Sequence, residues 1–223
     1  ALYQSEKLTA LGSLLAGVSH ELNNPLSVVL TLSELLQQKA TGTPFAERAA
    51  KIHAAAARCG KIVQTFLAIA RQKAPVRSRV DVNELIKGAL ELTGYSLRTG
   101  GIKVVEDLMP KLPAIEADPD QLAQVLVNLL VNAQHALLER DNDRILTVRT
   151  AAGAKQRSVR IEVEDNGPGV APEIRRRIFD PFFTSKPLGQ GTGIGLTFSL
   201  GVVEAHGGSL RLDDPPGGGA RFI

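Results

Sequence analysis

Apolar residues along the first 70 positions recur at alternating steps of three and four residues. The pattern covers two segments joined by "KATGTP" (39–44), a short stretch that contains helix-breaking glycine and proline. The seam residues are Leu8, Leu11, Leu15, Val18, Leu22, Pro25, Val29, Leu32 and Leu36 in the first segment, and Phe45, Ala49, Ile52, Ala56, Cys59, Val63, Phe66 and Ala70 in the second. A seam of this period is typical of helices that pack along their length. Because the connection is short, we predict two antiparallel helices.

Further apolar residues of the first helix lie off this seam, namely Leu14, Leu26, Val28, Leu30 and Leu35. A single hairpin leaves these side chains in water, whereas two paired hairpins can cover them. We therefore predict a homodimer in which two helical hairpins form a four-helix bundle.

One histidine of the first helix is predicted to point away from the seam. With Leu15 at heptad position a and Val18 at d, His20 falls at f, the outward position. Asn24 follows one helical turn later on a similar outward face. Glu21 is the sequence neighbour of His20. The sequence thus predicts an imidazole presented to solvent on a rigid rod, beside a carboxylate.

The hydrophobic pattern changes after the polar, proline-containing stretch "RQKAPVRSRVDVN" (71–83). We predict a hairpin domain over 1–72, a linker over 73–82 and a second domain over 83–223. Helices are predicted for "DVNELIKGALELTG", for a segment that begins at the N-cap Asp118 and runs to about Leu138, and for 194–205. Strands are predicted for "IKVVEDL", "ILTVRT", "SVRIEVED", "SLRLDD" and "ARFI". This mixture predicts an α/β sandwich with helices on one face of a mostly antiparallel sheet.

Polar residues form a stripe on the helix that follows Asp118. Gln124, Asn128, Asn132 and His135 lie at steps of four, four and three, and share an arc of roughly 80°. A solvated surface stripe is one interpretation. However, amides and histidine are poor helix formers at exposed positions, and they suit phosphate oxygens and a hydrated Mg²⁺. Both interpretations stay open on the helix alone.

Two glycine-rich segments are further candidates for a binding site. In "EDNGPG", Asp165 ends a predicted strand, and Gly167 and Gly169 let the backbone turn; an ordinary strand-end turn is the alternative. In "GQGTGIGL", glycines at alternate positions precede a helix, which suits phosphate, although a flexible loop without ligand is the alternative. This second segment is neither a Walker loop nor a dinucleotide fingerprint.

The segment between the two glycine clusters is predicted to move as a lid, because glycines at both ends permit motion. Its phenylalanines, Phe179, Phe182 and Phe183, are expected to pack beneath it.

Composition narrows the possible functions. A hydrophobic fraction of 43% supports a core, and the net charge is only +3. Trp is absent and no basic run alternates with aromatics, so we expect no nucleic-acid partner. The single Cys59 cannot form an internal disulfide, which fits a reducing compartment, and four scattered histidines predict no zinc site.

No run is apolar enough to span a membrane, and no signal peptide is visible. We expect a cytoplasmic fragment of a longer protein, whose membrane contact, if any, comes through segments outside this fragment.

Five motifs together resemble the catalytic region of bacterial sensor histidine kinases. In order, "SHELNNPL" resembles the H box of that family, "NLLVNA" its N box, "DNGPG" its G1 box, "FDPFFTSK" its F box and "GTGIGL" its G2 box. The resemblance covers almost the whole chain, and "PFFTSK" is most similar to the nitrogen-regulator-like subgroup. It implies a dimerisation and phosphotransfer hairpin followed by an ATP-binding domain of the gyrase and heat-shock-chaperone superfamily.

The resemblance also implies roles for residues. His20 would be the phosphoacceptor, Glu21 the base that takes its ring proton, and Asn24 the residue that orients water when a partner is dephosphorylated. Contacts with ATP would come from Asn128, Asn132, His135, Asp165, Gly167, Gly169, Lys186, Gly191, Thr192, Gly193, Gly195 and Leu196. Among these, Asn132 would bind Mg²⁺ and Asp165 would accept the adenine amino hydrogen.

The function implied is an ATP-dependent protein-histidine autokinase that passes its phosphoryl group to an aspartate of a response-regulator receiver domain, with a phosphatase activity toward that partner also allowed. Two alternatives remain. One is an ATPase or serine kinase built on the same nucleotide fold, and the other is a non-catalytic dimeric scaffold or phosphotransfer module.

Overall fold

The computed structural model describes residues 25, 27–70, 75–141, 143–153, 158–186, 191 and 193–223, with the backbone alone at residues 58 and 61–70. These residues fall into two compact units. The hairpin unit contains the described residues up to 70 together with Thr184–Ile194. The sandwich unit contains the described residues from 75 to Phe183 together with Gly195–Ile223.

The hairpin unit contains two helices, α1 over residues 27–40, with residue 25 also helical, and α2 over Ala46–Ala70. α1 ends just before Gly42, whose φ of 80° is typical of the residue after a helix. The Ser33 hydroxyl of α1 lies 3.0 Å from His53 Nδ1 of α2. Together with the five-residue connection, this contact shows that the two helices run antiparallel, as predicted.

The face between α1 and α2 differs from the predicted seam. Among the residues of the two helices whose burial the structure describes, the buried ones are small or polar, namely Ser33, Ala40, Ala49, Ala56 and Gly60. Of the predicted seam, Ala49 and Ala56 are buried, but Val29, Leu32, Leu36, Phe45 and Ile52 are about half exposed, at 47–62%. For these five residues, the prediction that the seam forms the contact between the two helices of one hairpin was therefore wrong. Small side chains let the two backbones approach closely, and the large apolar ones remain outside.

The sandwich unit has seven strands and three helices. The strands are β1 (Ser78–Val80), β2 (Lys103–Leu108), β3 (Ile115–Ala117), β4 (Ile145–Ala152), β5 (Val159–Asp165), β6 (Leu212–Asp213) and β7 (Ala220–Phe222), and the helices are α3 (Val82–Thr99), α4 (Pro119–Leu138) and α5 (Gly195–Ala205). Five strands form one sheet in the order β2-β4-β5-β7-β6. β2 pairs with β4 in parallel and the other pairs are antiparallel, so the mostly antiparallel sheet was predicted correctly.

Local sequence explains where the helices begin. The Asp81 side chain accepts hydrogen bonds from the backbone of Asn83 and Glu84 and caps α3. Asp118 caps α4 in the same way. Pro119 occupies the first turn, where a backbone N–H would have no acceptor within the helix, so the missing N–H of proline costs nothing. α4 spans the range predicted for it.

The core lies between the helices and one face of the sheet. Its fully buried large side chains include Ile86, Leu97, Leu130 and Leu137 from the helices and Leu146, Val148 and Val163 from the sheet. On the other face of the sheet, the Glu164 carboxylate is paired with Arg149 at 2.7 Å and with Arg221 at 2.6 Å. The alternation along β5 therefore separates an apolar face from a charged one.

Two short strands were not predicted. β1 lies within the predicted linker 73–82 and pairs antiparallel with β3, so that Ser78 is opposite Ala117. Strands of three residues are too short to show an alternating pattern, and their pairing depends on contacts distant in sequence. The domain boundaries themselves stay a prediction. None of the helices in the described ranges is long and apolar enough to cross a bilayer.

Candidate functional site

The polar stripe of α4 is mostly shielded from solvent. Gln124 is exposed, whereas Asn128, Asn132 and His135 are half-buried. The opposite side of α4 supplies core residues such as Leu130. The interpretation as a solvated stripe therefore describes Gln124 and not the other three residues.

Asn128 connects this stripe to the beginning of α5. Its Nδ2 donates to the Ser199 hydroxyl at 2.8 Å, and Ser199 is fully buried. A Cβ at Gly195 would overlap Asn128 Oδ1, so only glycine permits this approach. The first N–H groups of α5, which have no acceptor within their own helix, are consequently held beside the Asn128 amide. A helix N-terminus in this position favours anionic oxygens.

Asp165 ends β5 as a nearly buried carboxylate, with 3% of the residue exposed. It accepts the Gly167 N–H at 2.9 Å and is also hydrogen-bonded by the Ala220 N–H. Burial raises the pKa of Asp165, because the charged form is disfavoured away from water, and the two N–H donors only partly oppose that effect. A buried carboxylate oriented in this way is well suited to accept hydrogen from an amino group.

Glycines allow the turn after Asp165 to pack closely. A Cβ at Gly167 would lie 2.7 Å from Asp165 Oδ1 and 3.1 Å from Ala136 Cβ, so this turn lies directly against α4. Gly169 has a φ of 78°, and a Cβ there would lie 2.8 Å from the Gly219 carbonyl oxygen. The turn therefore has no room for side chains at either position.

Gly219 is a residue that the sequence interpretation missed. Its φ is 97°, and a Cβ on it would overlap the Asp165 carbonyl and lie 2.9 Å from Asn166 Cα. The run of three glycines at 217–219, directly before the last predicted strand, was the signal that could have identified it.

Asn166 was also missed, although it follows Asp165 directly. Its Oδ1 accepts the Ile145 N–H at 2.8 Å, and its Nδ2 donates to the Asp143 carbonyl at 2.6 Å. The Arg140 guanidinium donates to the Asn166 carbonyl at 2.6 Å. These bonds fix the chain after Asp165 to the start of β4 and to the end of the α4 region.

These elements converge along one stretch of α4. Asn128 contacts the start of α5, Ala136 contacts the turn after Asp165, and Asn132 lies one helical turn from each. Leu196, in the first turn of α5, packs against the core. The arrangement combines a buried acceptor, amide groups and a helix N-terminus, which together can bind a purine at one end and phosphates at the other.

The donor set fits Mg²⁺ held together with phosphates. In the described part of the chain, no group of three or more His, Cys, Asp or Glu side chains could hold a metal by itself. Mg²⁺ takes hard oxygen ligands and usually needs only one or two protein groups when phosphates supply the others. An amide oxygen from the polar stripe of α4 satisfies that requirement.

The segment after Gly169 is anchored by two of its phenylalanines. The Phe179 ring meets Phe222 edge-on at 6.5 Å, and the Thr197 hydroxyl donates to the Phe179 carbonyl at 2.9 Å. Phe183 packs against the core and lies 4.5 Å beneath the Arg177 guanidinium. Phe182, in contrast, is 56% exposed. Packing was thus predicted correctly for two of the three rings, and the movement of this lid stays a prediction.

Three further residues predicted to bind phosphate, Lys186, Gly191 and Gly193, belong to the hairpin unit. The Lys186 N–H donates to the Thr184 hydroxyl at 3.1 Å, and a Cβ at Gly191 would lie 3.3 Å from Lys186 Cδ. Gly193 has a φ of 66°. Thr192, like His20, Glu21 and Asn24, lies outside the described residues, so the roles assigned to these four stay predictions.

Two protein families match this chain. Residues 117–223 match the family described as histidine kinase-, DNA gyrase B-, and HSP90-like ATPase. Residues 10–75 match the His Kinase A (phospho-acceptor) domain. One match lies mainly in each of the two halves predicted from the motifs.

Individual relatives agree with the family matches. Sensor histidine kinase ZraS of Klebsiella oxytoca is 36% identical over 223 residues, which is 100% of this chain and 47% of ZraS. The chain thus spans about half the length of the curated relatives it matches.

Among solved structures, full-length ShkA in complex with AMPPNP superposes with a TM-score of 0.75 at 29% identity, over 93% of this chain and 44% of ShkA. Histidine kinase ThkA, solved in complex with the response regulator TrrA, shares the fold, with a TM-score of 0.68 at 24% identity over 98% of this chain and 62% of ThkA. The chain belongs to the sensor histidine kinases, and it carries their phosphoacceptor helical region and their α/β ATP-binding domain.

Proposed function

We propose that this chain is an ATP-dependent autokinase that phosphorylates its own His20 and passes the phosphoryl group to an aspartate of a response-regulator receiver domain. The observation that carries the proposal is the convergence of the Asp165 carboxylate, the amides of α4 and the start of α5 within the sandwich unit. This combination fits the two ends of ATP, since it offers an acceptor for a purine amino group and donors for phosphate.

The nucleotide is proposed to bind with its adenine amino group on Asp165. Gly167 and Gly169 are proposed to shape this end of the site, because they let the turn after Asp165 pack closely where a Cβ would collide with Asp165 Oδ1 or the Gly219 carbonyl oxygen. The phosphates are proposed to contact Thr192 and the backbone of Gly193, Gly195 and Leu196 at the start of α5. Lys186 and Gly191 are proposed as further phosphate contacts.

Asn132 is proposed to hold Mg²⁺ through its amide oxygen, with Asn128 beside it and His135 on a phosphate. When bound, Mg²⁺ would neutralise charge on the phosphates, which is the main requirement of phosphoryl transfer. The part played by the protein is alignment: Asn128 is already fixed by Ser199.

His20 is proposed as the nucleophile. A bond forms between an imidazole nitrogen and the γ-phosphorus while the bond to the bridging oxygen of ADP breaks, and Glu21 accepts the ring proton. Asn24 is proposed to orient water when the receiver aspartate is dephosphorylated. Support for a receiver partner comes from the phosphoacceptor family match and from ThkA, which was solved with a response regulator.

The hairpin is proposed to form a homodimer. Its large apolar side chains outside the contact between α1 and α2 are 46–62% exposed, namely Val28, Val29, Leu32, Leu35, Leu36, Phe45 and Ile52. A second hairpin would remove them from water. Sedimentation should give a dimer mass, and Leu32→Asp should reduce it to a monomer; a wild-type monomer at micromolar concentration would contradict this.

A cytoplasmic location, which fits the unbridged Cys59, is part of the same proposal.

The decisive test is autophosphorylation with labelled Mg-ATP. The wild-type chain should take up acid-labile, alkali-stable label, whereas His20→Gln and Asn132→Ala should take up almost none. Wild-type labelling of His20→Gln would refute the assignment of the phosphoacceptor. An acid-stable, alkali-labile product would favour a serine kinase. A non-catalytic scaffold would be favoured if the chain bound no nucleotide and if Asp165→Asn left its function unchanged.

A further inference from the structure

The end of the predicted linker is attached to the sandwich unit at one defined place. We name this place the linker junction and define it by Val76, Arg77, Asp118 and His206. It lies where α4 begins and α5 ends, whereas the proposed nucleotide contacts lie further along α4 and at the start of α5.

His206 joins the ends of two helices. Its Nδ1 lies 2.8 Å from the Val202 carbonyl, which can only accept, so Nδ1 carries the ring proton that is donated. Its Nε2 therefore serves as the acceptor for the Asp118 N–H, at 2.9 Å. The ring thus attaches the last turn of α5 to the N-cap of α4.

Asp118 connects the same point to the linker. Its Oδ1 accepts the N–H groups of Asp120 and Gln121 in the first turn of α4, and its Oδ2 accepts the Val76 N–H at 2.9 Å. These N–H donors lower the pKa of Asp118, with the Gln121 N–H contributing most. The carboxylate consequently serves as a helix cap and as an anchor for the linker at once.

Two further contacts hold the linker in place. The Arg77 guanidinium donates to the Ala205 carbonyl at the end of α5, at 2.8 Å. Residues 78–80 then pair with β3, whose last residue, Ala117, directly precedes Asp118. The linker is therefore bonded to both helices that carry the proposed nucleotide contacts.

α4 and α5 also contact each other at the proposed nucleotide site, through Asn128, Ser199 and Gly195. Ser199 is seven residues before His206, about 10 Å along the helix, and Asn128 is ten residues after Asp118, about 15 Å. Because helices are stiff over such distances, a shift of the start of α4 or the end of α5 at the junction must change the distance between Asn128 and Gly195. A Cβ cannot fit there, so the contact has little tolerance for change.

We infer that the linker junction couples docking of residues 76–80 to nucleotide binding, with His206 and Arg77 as positioning residues. This inference rests on the nucleotide site proposed above. Coupling between two sites is reciprocal, so nucleotide should tighten the docked linker by the same factor by which the docked linker tightens nucleotide binding.

The test measures both directions in the full chain, with a non-hydrolysable ATP analogue and Mg²⁺ as the probe. The analogue should slow hydrogen exchange of the Val76 amide about fivefold, the lower end of the usual range for coupled sites. Arg77→Ala and His206→Ala should each weaken binding of the analogue by a similar factor and should abolish the effect on exchange. His206→Gln, which keeps an acceptor, should restore part of the affinity.

Arg79→Ala is the matched control, because Arg79 is an arginine of the same segment that lies opposite Glu116 of β3, whereas the hydrogen bonds from this segment to Asp118 and to the end of α5 come from Val76 and Arg77. It should bind the analogue as the wild type does. If His206→Ala does not fold, Arg77→Ala, whose side chain is exposed, carries the test. A wild-type chain that does not bind the analogue would refute the proposed function. The coupling would be overturned, and the proposed function would stand, if the wild type bound the analogue without a change in hydrogen exchange at Val76 and Arg77→Ala bound the analogue with unchanged affinity.

Discussion

Two aspartates of the sandwich unit, Asp118 and Asp165, are both withdrawn from solvent, with exposed fractions of 8% and 3%. Their electrostatic situations are opposite. Hydrogen bonds from backbone N–H groups lower the pKa of Asp118, and the bond from Gln121 contributes most. Burial, in contrast, raises the pKa of Asp165. Within the described part of the chain, the first carboxylate accepts three N–H groups, whereas the second accepts those of Gly167 and Ala220.

The difference separates a structural carboxylate from one available for a ligand. Asp118 uses its charge to cap a helix and hold the linker, so little acceptor capacity remains. Asp165 bears a desolvation cost that its two donors offset only in part, and one more donor would stabilise its charged form. Residue type and burial alone do not distinguish the two; the number and geometry of their donors do.

The largest effect is expected from Gly219→Ala, which disturbs the backbone behind Asp165. An alanine there must hold a φ of 97° and must displace the Asp165 carbonyl, so we expect a loss of about 3 kcal/mol in unfolding free energy. Chemical denaturation measures it. Gly217→Ala is the control, since no atom of the described residues lies within 4 Å of its Cβ, and should change stability by less than about 0.5 kcal/mol. Equal stability of the two variants would mean that the close approach is not real.

The second effect concerns Asp165→Asn and tests whether this carboxylate serves a ligand. An amide can present a donor where the purine amino group also donates, so we expect nucleotide affinity to fall about 100-fold. The melting temperature should stay the same or rise, because a poorly compensated buried charge is removed. Titration calorimetry and thermal melting measure the two quantities. Wild-type affinity in this variant would place the base elsewhere.

Asp118→Ala is expected to show the reverse balance. Loss of an N-cap costs about 1–2 kcal/mol of unfolding free energy. Nucleotide affinity should fall only by the factor expected for the linker junction, about fivefold. Asp81→Ala is a matched control, because Asp81 caps α3 through two N–H groups but does not hold the linker. It should lower stability similarly and leave nucleotide affinity unchanged; a 100-fold loss of affinity in Asp118→Ala would erase the contrast between the two aspartates.

The smallest effect is the pH dependence, and its sign differs between the two residues. The lowered pKa of Asp118 means that its stabilisation is complete above the unfolded value, about 3.9, and is lost as pH falls through the folded pKa. The raised pKa of Asp165 means that stability declines as pH rises from about 3.9 through the folded value. Since nucleotide is proposed to need the charged Asp165 carboxylate, affinity should weaken on acidification before the cap at Asp118 is lost.

Nucleotide affinity and thermal stability measured between pH 7 and pH 3 check this order. Asp165→Asn should remove the acid-dependent part of the binding curve, and Asp118→Asn should flatten the stability curve at its acidic end. If binding and stability decline together in the wild type, the two aspartates titrate alike and the comparison fails.

Some features of the fold were predictable because consecutive residues encode them. Asp118 and Pro119 mark the start of α4, and its apolar positions mark its length. The alternation of Val159, Ile161 and Val163 identifies β5 as half-buried. These signals are local, since capping, helical period and strand period depend on neighbours within one or two turns.

The candidate site was predictable in part for the same reason. Asp165 and the glycines after it follow a clear strand, and Asn128 and Asn132 share one face of a clear helix. Gly219 and Asn166 were missed because their importance comes from partners far along the chain. The partner of Gly219 is the Asp165 carbonyl, and the partner of Asn166 is the Ile145 N–H.

By itself, the sequence determined the helices and the strands of the five-stranded sheet, and which motifs could bind ATP, because periodicity and caps are encoded in adjacent residues. Only the tertiary structure decided that small residues such as Ala49 and Ala56 fill the hairpin contact while Leu32 stays outside, that β1 joins β3, and that His206 meets Asp118. Each of these depends on the distance between elements, which is set by the packing of many side chains at once and by no local run of residues.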